Sequence, residues 1–354
     1  MRPVLNPALR LLWRDAATLQ IGVDARHCVV LDGLTPYGET VLALLDGTRD
    51  WAGVVAAAAV LGVTHDETEA LLKLLLDAGA LDDAGTSAGL AGEARERLGP
   101  ELAELSLLAF PGGGAEAIRA RRRARVLVAG CGRLGSAVAA LLAASGVGHV
   151  VLRDEHPAGP ADAAPGRPAA EAGPPRVVGA ARATEAVGGC QVDAAAHTPS
   201  PEDCASVDLV VLTGLHAAGD PRLLDALRQG GRPWLACGIR ETCGVVGPLV
   251  LPGRSACTRC LDLARAERDA AWPALAAQLA SADGWAPDGG GAALVSVVAG
   301  LACAEALAQL AGPTPPRCVD ATVEVRLPEW SLRRRAWQPH PACGCVSTVG
   351  ALAG

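Results

Sequence analysis

The sequence predicts an α/β protein in which a doubly wound, mostly parallel sheet follows a small α+β domain of the winged-helix type. From residue 124 onward, short apolar strands alternate with amphipathic helices, a pattern typical of a parallel sheet covered on both faces. Before residue 82, two short β-rich segments precede three helices that have clear start and stop signals.

Composition limits the classes of function. The formal net charge of −7 argues against sequence-independent nucleic-acid binding, which needs clustered basic residues. No secretory signal follows Met1, so we expect a cytoplasmic protein with neither a nucleic-acid nor a membrane partner. The most apolar stretch, residues 291–310, contains Glu305 and Gln309 and therefore indicates a helix buried in protein.

The chain is predicted to have three parts. In residues 1–82, strands are expected at 18–23 and 28–32, and Thr64-His65-Asp66-Glu67 is a capping box that begins the third helix. Residues 83–123 are predicted to be a linker with one helix at about 100–110. Residues 124–354 form the main domain.

A phosphate-binding turn is the strongest local motif. Gly130-Cys131-Gly132-Arg133-Leu134-Gly135 follows an apolar strand and opens an alanine-rich helix, whose N-terminal N–H groups attract an anion. Asp154 comes after the next strand, where an acid can accept hydrogen bonds from a ribose. The predicted nucleotide-binding residues are therefore Gly130, Gly132, Arg133, Leu134, Gly135 and Asp154. The turn alone does not distinguish NAD from ATP.

The spacing of the cysteines indicates a metal site. Cys257 and Cys260 are separated by two residues, and Cys343 and Cys345 by one, near the C-terminus. Two close pairs at distant points in a cytoplasmic chain predict a structural, four-thiolate Zn²⁺ site that attaches the C-terminal region to the sheet. A redox dithiol at the first pair, or unrelated buried thiols, are the alternatives.

The order of these motifs resembles the ThiF family of ubiquitin-activating-like adenylyltransferases. The resemblance covers residues 124–345 and implies a Rossmann-like fold, ATP as substrate with Mg²⁺, and attack of a partner's carboxylate on the α-phosphate. It also implies a homodimer. Residues 1–82 are similar to the PqqD-like domains that bind leader peptides in the biosynthesis of ribosomally made peptide natural products (RiPPs), by adding the peptide as a strand.

The sequence departs from the ThiF pattern at three places. Where the family has Asn-x-x-Arg after the ribose acid, this chain reads Asp162-Ala163-Ala164-Pro165, so Arg167 or Arg176 is expected to substitute as the catalytic cation. Thr213-Gly214-Leu215-His216 stands where a magnesium-binding aspartate is expected, and Asp220 is too distant in sequence to be assigned. No thioester-forming cysteine occurs in residues 282–291.

These departures leave two main hypotheses open. In the first, the protein is an ATP-dependent adenylyltransferase that activates a carboxylate of a peptide or carrier protein. In the second, it is a catalytically lapsed scaffold that binds a leader peptide and presents it to a partner modifying enzyme such as a YcaO cyclodehydratase. An NAD-dependent oxidoreductase is the weaker third hypothesis, because no hydride-transfer residues accompany the turn.

Overall fold

The computed structural model describes residues 1–34, 36–86, 90, 92–108, 113–163, 167, 173–214, 220–280 and 290–346. The chain forms two compact units, Met1–Ala120 and Arg121–Gly354. The predicted division at residues 82 and 123 stays a prediction. His216, Trp285 and the segment 282–289, which the sequence analysis singles out, lie outside the described residues.

The first unit begins with short antiparallel strands and continues with helices. The elements are β1 (Pro3–Leu5), β2 (Leu11–Trp13), β3 (Leu19–Ile21), β4 (Val29–Leu31), α1 (Pro36–Ala43), α2 (Trp51–Val60), α3 (His65–Asp77) and β5 (Leu81–Asp83). The strand order β2-β3-β4 forms one sheet, and β1 pairs with β5 in another. The sequence predicts β3 and β4 but not β1, β2 and β5, because strands of three residues are too short to show an alternation.

The third helix has the predicted start signal. The Thr64 hydroxyl accepts a hydrogen bond from the Glu67 N–H at 3.3 Å, and the Glu67 carboxylate accepts one from the Thr64 N–H at 3.1 Å. This reciprocal pair is the predicted capping box. Leu72 and Leu75 of α3 pack into one buried cluster with residues of β3. The cap therefore sets where the helix begins, and the apolar face attaches the helix to the sheet.

Helices occupy most of the predicted linker. The described residues of this stretch form α4 (Gly92–Arg97), α5 (Gly99–Leu108) and α6 (Gly113–Arg123). Only α5 coincides with the predicted helix. Three glycines, at the first positions of these helices, are poor helix formers and hide the helical signal in the sequence.

The second unit contains an eight-stranded sheet in the described part of the chain. Its strands are β6 (Arg125–Ala129), β7 (His149–Arg153), β8 (Gln191–Ala195), β9 (Leu209–Thr213), β10 (Trp234–Arg240), β11 (Cys243–Val250), β12 (Ala321–Arg326) and β13 (Ser331–Ala336). The spatial order is β13-β12-β11-β10-β9-β6-β7-β8. The five strands from β10 to β8 are parallel, and β11, β12 and β13 extend the sheet in antiparallel fashion.

Helices cover both faces of this sheet. They are α7 (Arg133–Ala144), α8 (Arg176–Glu185), α9 (Pro201–Ala205), α10 (Pro221–Gly230), α11 (Thr258–Ala266), α12 (Trp272–Ala280) and α13 (Ala292–Ala311). Val126 and Val128 of β6 face a core shared with α7, α8 and α13, whereas Leu127 and Ala129 face a second core shared with α9 and α10. This alternation of one strand between two cores confirms the predicted doubly wound architecture.

Helix α13 is long and apolar enough to span a membrane by length and composition alone. Half of its most apolar window is buried in the domain, and α13 packs on α7 and β11. Its Glu305 carboxylate accepts a hydrogen bond from the buried Cys318 N–H at 2.8 Å. These contacts are those of a core helix in a globular domain.

Candidate active site

The glycine turn lies between β6 and α7 and is closely packed against β9. Gly130 has φ of +91°, a left-handed conformation that favours glycine. A Cβ on Gly135 would lie 1.9 Å from the Gly130 carbonyl oxygen and 2.8 Å from Thr213 Oγ1. The Thr213 hydroxyl is itself 2.8 Å from the Gly130 carbonyl. A side chain at the first or third glycine of the motif would therefore clash with neighbouring backbone, which is why glycine occupies both positions.

Asp154 holds the turn through its carboxylate. One oxygen accepts a hydrogen bond from the Cys131 N–H at 2.6 Å, and the other accepts from the His156 N–H at 2.9 Å and lies 2.8 Å from His156 Nδ1. The Asp154 side chain is 2% exposed. Because an ionised carboxylate has about four acceptor positions, these contacts leave room for ribose hydroxyls. The Cys131 thiol points into packing, and burial followed by the Asp154 charge raises its pKa, so it stays protonated.

An open cleft of about 510 Å³ lies at the carboxyl ends of β6, β7 and β9. Gly130 of the glycine turn and Asp154 form one side of it. The other charged or polar side chains that line it are Arg153, Glu155, His156, Arg176, Thr198, Thr213 and Asp220. This is the edge of a doubly wound sheet where ligands bind. Within the described residues, the first glycine of the predicted turn, the predicted ribose acid and one predicted cation thus line the same space.

The two candidate catalytic arginines have different positions. Arg176 lies at the first turn of α8 and lines the cleft, and its Nε donates a hydrogen bond to the Asp162 carboxylate at 3.1 Å. Arg167 is 2% exposed, and its guanidinium donates hydrogen bonds to the Cys131 carbonyl and the Ser136 hydroxyl behind the turn. Burial lowers the pKa of Arg167. Both assignments stay predictions, and the geometry favours Arg176.

The other three residues of the predicted turn lie at the start of α7. Arg133 Nη1 donates a hydrogen bond to the Gly290 carbonyl at 2.9 Å, and the Leu134 side chain is buried in the core. Gly132 is the N-cap of α7, and as a glycine it has no side chain to cap the helix. Backbone N–H groups at the N-terminus of a helix attract an anion.

Arg153 anchors the end of β7 next to Asp154. Its guanidinium lies 2.8 Å from the Asp203 carboxylate and 3.2 Å from the Asp193 carboxylate. Burial opposes the charge of Arg153, but hydrogen bonds to these two acids outweigh it and raise the pKa. Burial also opposes the charge of Asp203, yet hydrogen bonds from the Ser200 N–H, from His197 and from Arg153 lower its pKa to about 2.

Sequence reasoning missed several residues of the cleft. His156 is not among the predicted site residues, and Asp220 is too distant in sequence to be assigned. In the structure, Asp220 is the N-cap of α10, accepts a hydrogen bond from the Arg222 N–H at 2.9 Å and lines the cleft. The available signal was Asp220-Pro221, an acid followed by a proline at the start of a helix.

The four cysteines form one compact cluster. Their sulfur atoms all lie within 4.8 Å of one another, with separations of 3.9 Å for Cys257–Cys260, 3.5 Å for Cys257–Cys343 and 3.3 Å for Cys260–Cys345. Tetrahedral Zn²⁺ with bonds of about 2.3 Å requires S–S separations of about 3.8 Å, so the donor set fits zinc. Gly344 has φ of +69°, which allows both cysteines of the tight pair to face the same point.

Comparison with known proteins assigns the family. A family model described as the ThiF family matches residues 105–345, well over half of the chain. The chain belongs to the ThiF family. As a ThiF-family protein it has the expected Rossmann-like fold with a cysteine cluster capable of binding zinc.

Solved structures with the same fold match nearly the whole ThiF-family chain. E. coli MccB with ATP has a TM-score of 0.69 at 15% identity, over 98% of this chain and 100% of that one. The microcin C7 biosynthetic enzyme MccB in complex with N-formylated MccA has a TM-score of 0.69 at 14% identity, over 98% and 100%. PaaA has a TM-score of 0.68 at 17% identity, over 94% and 99%. No curated protein matches this sequence significantly.

Proposed function

We propose that this ThiF-family protein is an ATP-dependent adenylyltransferase that activates a carboxylate of a peptide or carrier protein in the biosynthesis of a peptide natural product. The cleft supports this proposal most directly, because Gly130 of the glycine turn, Asp154 and Arg176 line one space at the carboxyl edge of the sheet. MccB, which has the same fold, has been solved with ATP and with the peptide MccA.

In the proposed reaction, ATP lies with its ribose at Asp154 and its phosphates over the turn. A carboxylate oxygen of the substrate attacks the α-phosphorus, the bond to the β-phosphate oxygen breaks, and pyrophosphate leaves with that electron pair. The product is an acyl-adenylate. Arg176 compensates the negative charge that develops on the phosphates, and it does so from a fixed position because Asp162 holds it.

Mg²⁺ fits the acidic side of the cleft. Asp220 and Glu155 line it, and carboxylate oxygens are the ligands that Mg²⁺ prefers. Asp220 is the N-cap of α10 and lines the cleft at the carboxyl edge of the sheet, the edge at which the family's magnesium-binding aspartate is expected. When bound, Mg²⁺ would neutralise phosphate charge. Asp220 and Glu155 would hold it.

The first unit is proposed to bind a leader peptide. Strand β2 is an edge of its three-stranded sheet, and Leu11, Leu12 and Trp13 are 46%, 40% and 47% exposed. Such an edge offers unpaired backbone groups and apolar side chains to an extended peptide. A cytoplasmic homodimer, as implied by the resemblance, belongs to the same proposal.

The scaffold hypothesis has one specific observation in its favour. The guanidinium of Arg167 donates hydrogen bonds to protein carbonyls and does not line the cleft that the described residues form. At the position where the family has its arginine, this chain has Pro165. A scaffold would bind a leader peptide and present it to a partner enzyme such as a YcaO cyclodehydratase without consuming ATP.

Exchange of labelled pyrophosphate into ATP separates the two hypotheses. The adenylyltransferase is expected to show exchange that depends on an added peptide, and Asp154→Asn is expected to reduce it at least tenfold. Asp225→Asn, a change of an exposed acid on α10, is the matched control and should retain full exchange. ATP binding by calorimetry without exchange for any peptide would eliminate the enzyme hypothesis.

A further inference from the structure

A second cavity opens to solvent near the nucleotide cleft, with about 720 Å³ of empty space that includes its open mouth. The two spaces come near each other at the carboxyl end of β9, where Thr213 lines the cleft and the next residue, Gly214, lines this cavity. Consecutive Cα atoms are about 3.8 Å apart, so neighbouring residues line the two spaces at this point. A carboxylate at the Gly214 end of the cavity would therefore lie near the nucleotide cleft.

The wall of this cavity is mainly apolar. Ala236, Val245, Leu261, Ala276 and Leu279 are among its lining residues, and they come from β10, β11, α11 and α12. Helix α11 also contains Cys260 of the cysteine cluster, one residue before Leu261. The zinc-binding cluster thus fixes the helix that forms one side of the cavity. Apolar residues in the wall lower the local dielectric constant, which strengthens charge interactions beside them.

Within the described part of the chain, three charged side chains line the cavity, two of them basic and one acidic. They are Arg240, Asp262 and Arg265. The Asp262 carboxylate is already engaged, since one oxygen lies 3.1 Å from Arg265 Nη1 and accepts a hydrogen bond from Trp272 Nε1 at 3.0 Å. Two guanidinium groups therefore share one carboxylate. The excess positive charge lies at the Arg240 end.

Arg265 is constrained by its neighbours. Its guanidinium lies 4.8 Å from the ring centre of Trp272, and its side chain is only 19% exposed. Burial lowers the pKa of Arg265, the charge of Arg240 lowers it further, and Asp262 only partly offsets these effects. An additional anion between Arg240 and Arg265 would relieve this repulsion. Arginine is suited to that role because its planar donors match a carboxylate.

We propose that this cavity binds a C-terminal aspartate or glutamate of the peptide substrate, with Arg240 and Arg265 pairing with its side-chain carboxylate. The α-carboxylate of the same residue then extends past Gly214 toward the glycine turn. This inference rests on the proposed function and adds the chemical class of the activated residue. Among the described residues that line the cavity, the acid Asp262 already pairs with Arg265, so a neutral ligand side chain would add no counter-charge for Arg240, and a site built for a charge rejects such an analogue.

Equilibrium dialysis of the full-length protein with radiolabelled acetyl-Ala-Ala-Glu and acetyl-Ala-Ala-Gln tests the proposal. Both peptides have a terminal carboxylate, so the comparison isolates the second one. The glutamate peptide is expected to bind at least tenfold more tightly, which corresponds to about 1.4 kcal/mol. Equal affinity, or no binding of either peptide at millimolar concentration, would overturn the proposal. This comparison uses only the unmodified protein.

The variant Arg240→Gln is expected to reduce the preference to less than about twofold, and Arg240→Lys to retain part of it. Arg228→Gln on α10 is the matched control and should keep the full preference. A full preference in Arg240→Gln would contradict the assignment. Dialysis needs no ATP, so it separates this proposal from the proposed function. Tighter binding of the glutamate peptide without pyrophosphate exchange would refute adenylylation but not the acidic site. Pyrophosphate exchange that is equally fast with the glutamine peptide would refute the acidic site but not adenylylation.

Discussion

Replacing Gly135 by alanine tests whether the glycine turn is the nucleotide site. The new Cβ would lie 1.9 Å from the Gly130 carbonyl oxygen, whereas ordinary contact begins at 3.4 Å, so the turn and α7 must separate by 1.5 Å. Overpacking of this kind costs about 3 kcal/mol of unfolding free energy. A displacement above 1 Å at the phosphates is expected to slow pyrophosphate exchange by roughly 100-fold and to weaken ATP binding by more than about threefold.

Two alanine substitutions serve as controls for Gly135→Ala. Gly148→Ala would place its Cβ 1.8 Å from the Arg122 carbonyl, at the opposite end of the parallel strands, and should lower stability without changing ATP affinity. Gly300→Ala in α13 meets no atom within 4 Å and should raise stability by about 0.5–1 kcal/mol. Urea unfolding and ATP calorimetry are the measurements. An ATP affinity of Gly135→Ala within threefold of the unmodified protein would refute the assignment of the turn.

Three further changes have defined outcomes. Cys343→Ser should release bound zinc, measured by atomic absorption, and lower the Tm by roughly 5 °C or more. The control variant Cys28→Ser should do neither. An equal zinc content in both variants would refute the metal site. Asp203→Asn should lower the unfolding free energy by about 1–2 kcal/mol at pH 6. The folded pKa of Asp203 is lowered to about 2, so this stabilisation exists above about pH 4 and is lost toward pH 2. Urea unfolding at both pH values measures it. If the variant were still less stable than the unmodified protein at pH 2, the pairing of Asp203 with Arg153 would be contradicted. Arg176→Gln should slow pyrophosphate exchange at least tenfold with a smaller change in ATP affinity by calorimetry, and unchanged exchange would exclude its catalytic role.

Local patterns predicted the parts of the fold that depend on local physics. The alternation of strands and helices, the glycine turn and the capping box at Thr64 each follow from steric or hydrogen-bonding needs of neighbouring residues. The pairing of β11 with β12 joins segments that are far apart in sequence, so no short segment encodes it, whereas β10 with β11 and β12 with β13 pair as local hairpins. The two cysteine pairs were recognised because the chemistry of thiolates and zinc restricts the residue type as well as the spacing.

The site was only partly predictable for a related reason. The sequence identified Arg167 and Arg176 as equivalent candidates, because it cannot show where a guanidinium points. In the structure one lies behind the turn and the other lines the cleft. His156 lies two residues after Asp154 and Asp220 is the N-cap of α10; both line the cleft, although neither belongs to a motif that the sequence analysis identifies.

Transfer of oxygen-18 from the substrate carboxylate into the nucleotide tests the central claim most directly. Attack of that carboxylate on the α-phosphorus predicts, after transfer of the acyl group, AMP containing one oxygen-18 atom and unlabelled pyrophosphate. Mass spectrometry of the nucleotide products measures both. Label in inorganic phosphate together with ADP, or no nucleotide turnover with any peptide, would contradict adenylylation by this ThiF-family protein.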